Sequence, residues 1–549
     1  MLSLNSNVIG KYEKIFPALL FFLFLAVSLP GVDWGVPALW NPDEIIWRVD
    51  SALRGELVFD ETEPDFNYPS LPKYVMFGIG KAVYGLGYSS SIFIVSARVF
   101  SALLGATSIL LVYYLARIIG ASSSTSLLAG LFCIASGVIP SNSRLAHNDI
   151  YLLFFSILCV FCGIKYQLTR LRFWIYGSFL FVGMAASSKY TGGSLLFVPL
   201  FILVFMNWAE LKKDWFKTAE IFFIGGILSF LGFVVGTPKA LLWMAYYFKR
   251  VIPALEKLSV YSFNSDSSIG LFGQWGAFRA TVGGFIYLIF SLSVIWFVAQ
   301  IVVMWLNRRS PKDTTEKNKV VIILLASLLF FDMPFLFSIH YLPRHFIPFV
   351  PFLSILGALF ISEVTEFAKS RHWNFISALV VIALFLGISH SFLRLTSMAL
   401  LFMNDARMPA SRFIAQLPGQ GKTIEYTLYP PIVDKTQFEK ARNYPIYFVK
   451  YPGETVPTGG RFELNQGEKG LIDRDVDYLV VDTLTYSRFY TNSICETNPV
   501  ECDFFKRLLA GEVKSFKLIK EFKYHLPAYL PSLSETSVNP EVRVYERVR

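Results

Sequence analysis

The chain has 549 residues, of which 54% are hydrophobic and only 16% charged, with a formal net charge of +10 and a mean hydropathy of +0.49. A soluble globular protein of this composition would leave too much apolar surface in water, and continuous apolar runs exclude the alternating pattern of a β-barrel, so the chain reads as a polytopic membrane protein with helical spans. The basic excess is no sign of nucleic-acid binding, because many of these residues cluster in short loops between apolar runs, where they report topology.

The first apolar run, from about Ile15 to Leu29, follows Lys11 and Lys14 but precedes no small-residue cleavage site, so it reads as an uncleaved span. Eleven spans of roughly membrane-crossing length follow the hydropathy: about 15–33, 95–117, 123–141, 149–166, 173–188, 190–208, 219–236, 280–306, 319–338, 344–361 and 373–395. With the N-terminus in the cytoplasm, Arg117, Lys165, Arg170, Lys212, Arg308, Lys317 and Lys369 all fall on the cytoplasmic face, as the positive-inside rule requires. An odd number of spans sends the C-terminus outside. The apolar stretch Leu71–Gly87 is short and carries Lys73 and Lys81, so it is expected to lie in the interface rather than cross.

Residues 1–396 are therefore expected to form a transmembrane domain whose first extracytoplasmic loop spans 34–94, and 397–549 an extracytoplasmic α/β domain. The tail turns rich in Tyr, Pro, Glu and Lys, with a strand-like run Tyr478-Leu479-Val480-Val481. Cys133, Cys159 and Cys162 lie in apolar segments as packing residues, whereas Cys495 and Cys502, seven apart in the polar tail, are a disulfide candidate if that tail faces an oxidising compartment. The expected location is a multi-pass protein of a bacterial inner membrane.

Polar groups gather at the outer boundary, where charges are expensive and suggest function. Asn41-Pro42-Asp43-Glu44 places two carboxylates just past the first span, and Asp43 could also begin a helix and cap it. Arg144-Leu145-Ala146-His147-Asn148-Asp149 brings a further carboxylate to the outer end of the fourth span. Tyr68-Pro69-Ser70-Leu71-Pro72-Lys73, Lys189-Tyr190-Thr191 and His340-Tyr341-Leu342-Pro343-Arg344-His345 bring cations to the same face. Each lysine or arginine could simply snorkel, but Arg344 has the fork that suits an oxyanion. Carboxylates facing cations at a membrane boundary suit a lipid-linked phosphosugar: cations stabilise the departing phosphate and a carboxylate takes the proton of an attacking hydroxyl.

On these residues, together with Arg98, Pro348, Pro351 and Asn404-Asp405-Ala406-Arg407, the chain resembles the GT-C superfamily of membrane glycosyltransferases. More narrowly it resembles the branch holding the protein O-mannosyltransferases and the aminoarabinose transferases of lipid A. The resemblance implies an inverting transfer of one sugar from a polyprenyl-phosphate donor to an extracytoplasmic protein, lipid or glycan. It implies Asp43 as general base, with Glu44 or Asp149 orienting the acceptor. Lys73, Lys189 and Arg344 would hold the phosphate, and Tyr68, His147, Tyr190, His340 and Tyr341 would line the pocket. Metal use varies among such enzymes, so no ion is assigned; Asp43 and Asp149 are the pair that would hold a divalent cation. The alternatives are a transporter or flippase of a lipid-linked substrate and a non-catalytic membrane assembly protein.

Overall fold

The computed structural model describes residues 13–41, 43–56, 68–260, 271–307, 315–335, 342–427, 429–443, 467–490, 492–533 and 537–549. The chain divides into two compact units: the second takes Ser397–Arg549 together with the short segment Asp33–Pro42, and the first takes the stretches on either side of that segment, up to Thr396. The division thus departs from a simple cut at the last span, because ten residues of the first outer loop are built into the C-terminal unit.

The first unit is helical. Among the described residues six helices are long and apolar enough to cross a membrane. Five are Ser90–Ile118, Asn148–Thr169, Trp215–Gly236, Gly284–Leu306 and Val350–Ser370, and the sixth begins at Asn374. Helix also covers the other expected spans, but in shorter or broken pieces. Phe16–Ser28 has 13 residues, and Arg172–Ser188 and Glu316–Asp332 have 17 each. The expected span 123–141 is interrupted after Ala135 and resumes as Val138–Asn142. The expected span 190–208 starts as a 3-10 helix, Tyr190–Leu196, and ends as a π-helix, Ile202–Met206. Protein covers these irregular turns in part: Leu195, Val198, Ile202 and Leu203 are buried, while Val204 and Phe205 of the π-turn are exposed. Leu71–Gly85 is a single helix, as the sequence reading expects.

Burial separates an inner layer from an outer one. In the Asn148–Thr169 helix 72% of the most apolar window is buried, against 22% in Trp215–Gly236 and 6% in the helix that begins at Asn374. Apolar side chains left exposed on the outer helices, such as Phe223, Ile295 and Phe385, suit lipid as solvent. Inner and outer helices meet through small residues. A Cβ on Gly183 would stand 2.1 Å from the Ser229 carbonyl oxygen, and one on Gly232 would stand 2.4 Å from that of Leu180. The Arg172–Ser188 and Trp215–Gly236 helices therefore cross backbone to backbone, as small-residue packing in membranes allows.

The second unit carries a five-stranded mixed sheet. Its strands are β1 (Thr423–Tyr426), β2 (Lys440–Asn443), β3 (Tyr478–Asp482), β4 (Phe516–Phe522) and β5 (Val542–Arg547), in the order β2-β1-β3-β5-β4. β1 pairs in parallel with β2 and β3, while β5 runs antiparallel to β3 and β4. β3 is buried along its whole length, which explains why its sequence reads as an unbroken apolar run. Helix Pro499–Ala510 packs Phe504, Phe505 and Leu508 into the same core as Leu479 and Val481. A disulfide joins Cys495 and Cys502 at the start of this region.

Candidate active site

Four separate pieces of the first unit converge on one cluster of ion pairs. The first is the turn after the first outer segment. The helix that follows starts at Ile46, with Ile45 in the capping position, so Asp43 is not a helix cap and its carboxylate is available for other partners. The second is the start of the Asn148–Thr169 helix, which His147 precedes and where Asp149 occupies the first turn. A carboxylate there is favoured by the positive end of the helix. The third is Lys189, in extended backbone between the Arg172–Ser188 helix and the 3-10 turn that follows. The fourth is Arg344, in the short 3-10 turn Pro343–Phe346 ahead of the Val350–Ser370 helix. Proline at the first position of that turn has no N–H to leave unsatisfied.

Arg344 bridges the two carboxylates. Its Nη1 donates to Asp43 Oδ2 at 2.5 Å, and its Nε lies 4.0 Å from Asp149 Oδ2. Lys189 Nζ donates to Asp149 Oδ1 at 2.6 Å. His147 Nδ1 stands 2.8 Å from Asp149 Oδ2, and the Tyr68 ring packs edge-on against the His147 ring with centroids 5.8 Å apart. Asp149 is buried, whereas the Asp43 side chain is 41% exposed. Burial alone would raise the Asp43 carboxyl, but the charge and hydrogen bond of Arg344 outweigh it and hold the group below its ordinary range. Arg344 moves oppositely: burial would lower it, and Asp43, Asp149 and Tyr68 raise it instead. Beside these charges lies a narrow cavity of about 10 Å3, room for roughly one water, lined by Asp149, Lys189, Thr191, Arg344, His345 and Phe349, among others.

Glu44 is held by partners of its own. Its carboxylate accepts from Arg98 Nε at 2.9 Å and Nη2 at 2.7 Å, and from the Ala146 backbone N–H at 2.8 Å. Both side chains of the pair are fully buried. A carboxylate enclosed and saturated in this way cannot meet an acceptor; it ties the loop carrying Asp43 to the segment leading to Asp149. Arg98 also donates to the Val32 carbonyl at 2.9 Å. Arg144 likewise has a structural job, donating to the Pro30 carbonyl at 3.0 Å and to that of Val27, at the end of the first helix.

Lys73 is buried in the first turn of Leu71–Gly85. Tyr190 packs against Tyr247, with ring centroids 6.2 Å apart. His340 and Tyr341 lie outside the described residues. Thr191, His345 and Phe349 line the cavity but were not singled out as site residues from sequence; Thr191 and His345 adjoin charged residues that were, while Phe349 gives no signal beyond its apolar character.

Among the described residues no group of three or more His, Cys, Asp or Glu side chains comes together to hold a metal. Asp43 and Asp149 do not fit a shared ion as they stand, because the Arg344 guanidinium already spans them.

The helices define a multi-pass integral membrane protein. Residues 84–251, a stretch that contains Arg98, His147, Asp149 and Lys189, match the model of a family described as dolichyl-phosphate-mannose-protein mannosyltransferase. The GT-C resemblance read from the sequence thus has an independent counterpart. An uncharacterized protein of Aquifex aeolicus is 26% identical over 219 residues, covering 38% of this chain and 42% of that one. The chain thus matches less than half the length of this curated relative. Among solved structures, ArnT from Cupriavidus metallidurans bound to undecaprenyl phosphate aligns over 96% of this chain and 97% of its own, with 12% identity and a TM-score of 0.48. The Archaeoglobus fulgidus oligosaccharyltransferase in complex with Zn and sulfate aligns over 79% of this chain and 62% of its own, with 13% identity and a TM-score of 0.46.

Proposed function

We propose that the protein is an inverting glycosyltransferase that moves one sugar from a polyprenyl-phosphate donor to an acceptor on the extracytoplasmic side of the membrane. The N-terminus is cytoplasmic in this reading and the C-terminal unit extracytoplasmic, on the strength of the basic loops. One observation carries the proposal: Asp43, Asp149, Lys189 and Arg344, drawn from four distant parts of the chain, form one cluster of interleaved charges.

In the proposed reaction the donor's single negative phosphate docks on Arg344 and Lys189. Binding competes with Asp43 for the Arg344 fork, so the same event that seats the donor releases the carboxylate. Freed from Arg344, Asp43 becomes a stronger base. It takes the proton of an acceptor hydroxyl as the oxygen attacks the anomeric carbon. The bond from that carbon to the phosphate oxygen breaks, and its electron pair leaves with the phosphate, where the two cations stabilise the new charge. Asp149 keeps Lys189 and Arg344 in place, and His147 braces Asp149. Lys73 is retained as a third cation for the donor.

The test is Asp43→Asn in nanodiscs, with binding of a polyprenyl phosphate followed by native mass spectrometry and transfer followed with labelled polyprenyl-phosphate sugars on native membranes. Removing a general base should lower turnover by about 10²–10⁴-fold, with phosphate binding preserved. A variant that transfers sugar at the wild-type rate would end the assignment.

A further inference from the structure

Within the motif Asn404-Asp405-Ala406-Arg407, Asp405 and Arg407 play no part in the chemistry above, yet they are among the most buried polar side chains of the described residues. Arg407 is fully buried and Asp405 is 1% exposed. Arg407 donates to Asp405 through Nε at 2.9 Å and Nη2 at 2.7 Å. Asp405 also accepts from the Trp34 indole at 2.9 Å and from the Asn539 backbone N–H at 2.7 Å. The Arg407 guanidinium carbon stands 4.2 Å from the Trp40 ring centre and 5.2 Å from that of Trp34. The Trp40 indole donates to the Pro430 carbonyl at 2.9 Å. Trp34 and Trp40 are 3% and 2% exposed, and a Cβ on Gly35 would lie 2.8 Å from the Trp40 ring. Two tryptophans of the first outer segment are therefore core residues of the C-terminal unit.

This segment has two stems. Before it, the Val32 carbonyl accepts from Arg98; after it, Glu44 pairs with the same arginine. Asp43 lies between the second stem and Trp40, three residues beyond the ring. A chain fixed on both sides over so short a distance has little freedom left.

We infer that Trp34, Trp40, Asp405 and Arg407 are positioning residues for Asp43: the C-terminal unit holds the carboxylate-bearing loop in register by gripping the ten residues that precede it. The role given to Asp43 rests on the proposed function; the mechanical coupling does not, and it is tested without turnover.

The experiment is hydrogen–deuterium exchange on the full-length protein in nanodiscs, comparing wild type with two variants. Arg407→Ala empties the clamp from the C-terminal side. A second variant carries two glycines inserted between Asn41 and Pro42, which leaves both anchors intact and slackens the connection. Coupling predicts that amides over 43–50 exchange at least about tenfold faster in both, with β3 unchanged in the insertion variant. Unchanged exchange over 43–50 in the insertion variant overturns the inference, whatever Arg407→Ala does to the C-terminal unit. If exchange rises but Asp43→Asn leaves transfer intact, the coupling stands and the catalytic reading falls.

Discussion

Replacing Glu44 by alanine separates a structural carboxylate from a catalytic one. Glu44 and Arg98 are both completely enclosed and joined by two hydrogen bonds of 2.9 and 2.7 Å. Deleting one member of such a pair strands the other charge, at a cost of about 3–5 kcal/mol. The Ala146 N–H would also lose its acceptor, adding about 1–3 kcal/mol. These losses share a site and will not sum fully, so Glu44→Ala should destabilise the first unit by about 4–6 kcal/mol. Glu44→Gln keeps an oxygen for Ala146 and one for Arg98, and should cost about 3 kcal/mol. The double variant Glu44→Leu/Arg98→Met removes both charges and should recover part of the loss, short of about 2–4 kcal/mol for the Val32 carbonyl and the Ala146 N–H left without partners. Denaturant titration in mixed micelles of wild type, Glu44→Leu, Arg98→Met and the double variant closes a double-mutant cycle and gives the coupling directly. A single Glu44→Ala cost below about 1 kcal/mol, or a double variant as unstable as the two singles combined, would refute the buried-pair account.

Arg344→Gln should move the acid limb of the kcat/KM profile to higher pH, because burial then acts on Asp43 without its opposing cation; an unmoved limb would show that Arg344 does not set that carboxyl. The sign also bears on stability: Asp43 is held below its unfolded value near 4, so its pairing stabilises the fold above that pH and the benefit is lost as pH falls through the folded value. Asp482 behaves oppositely. Burial pushes its carboxyl up to about 7 despite hydrogen bonds from Thr427 and Thr485, so the C-terminal unit should lose stability as pH rises from about 4 to about 7. Asp482→Asn should flatten that slope in pH-dependent unfolding of the full chain. Gly183→Ala should destabilise by at least about 1–3 kcal/mol in micelle denaturation, since its methyl would overlap the Ser229 carbonyl; a neutral result would mean that the two helices can separate freely.

Much of the membrane architecture is legible in the sequence, because hydropathy and loop charge follow directly from the solvent. The expected span 149–166 sits inside a single helix, Asn148–Thr169. What escapes is irregularity within apolar stretches: the break after Ala135 and the π-turn Ile202–Met206 change hydrogen-bond register without changing composition. At the site, the meeting of Asp43 and Arg344 joins residues 301 positions apart, and only their shared side of the membrane hints at it. Asp43 and Glu44 look equivalent as adjacent carboxylates. What separates them is Arg98, which takes one and leaves the other in the charge cluster. The burial of Trp34 and Trp40 in the C-terminal unit leaves no mark in the sequence, because tryptophan is common at membrane interfaces whatever it packs against.

The interleaving of two carboxylates with Arg344 and Lys189 sets each of these charges beside an opposite one. Under the proposed reaction, the proton that Asp43 gains offsets the charge that the phosphate acquires, so the step itself needs no counterion from outside. The imbalance comes afterwards. Once Asp43 gives its proton to bulk water, a doubly charged phosphate faces a restored carboxylate that competes for the same guanidinium. Product departure would therefore be driven by deprotonation, and the enzyme would reset itself by closing the Arg344 bond.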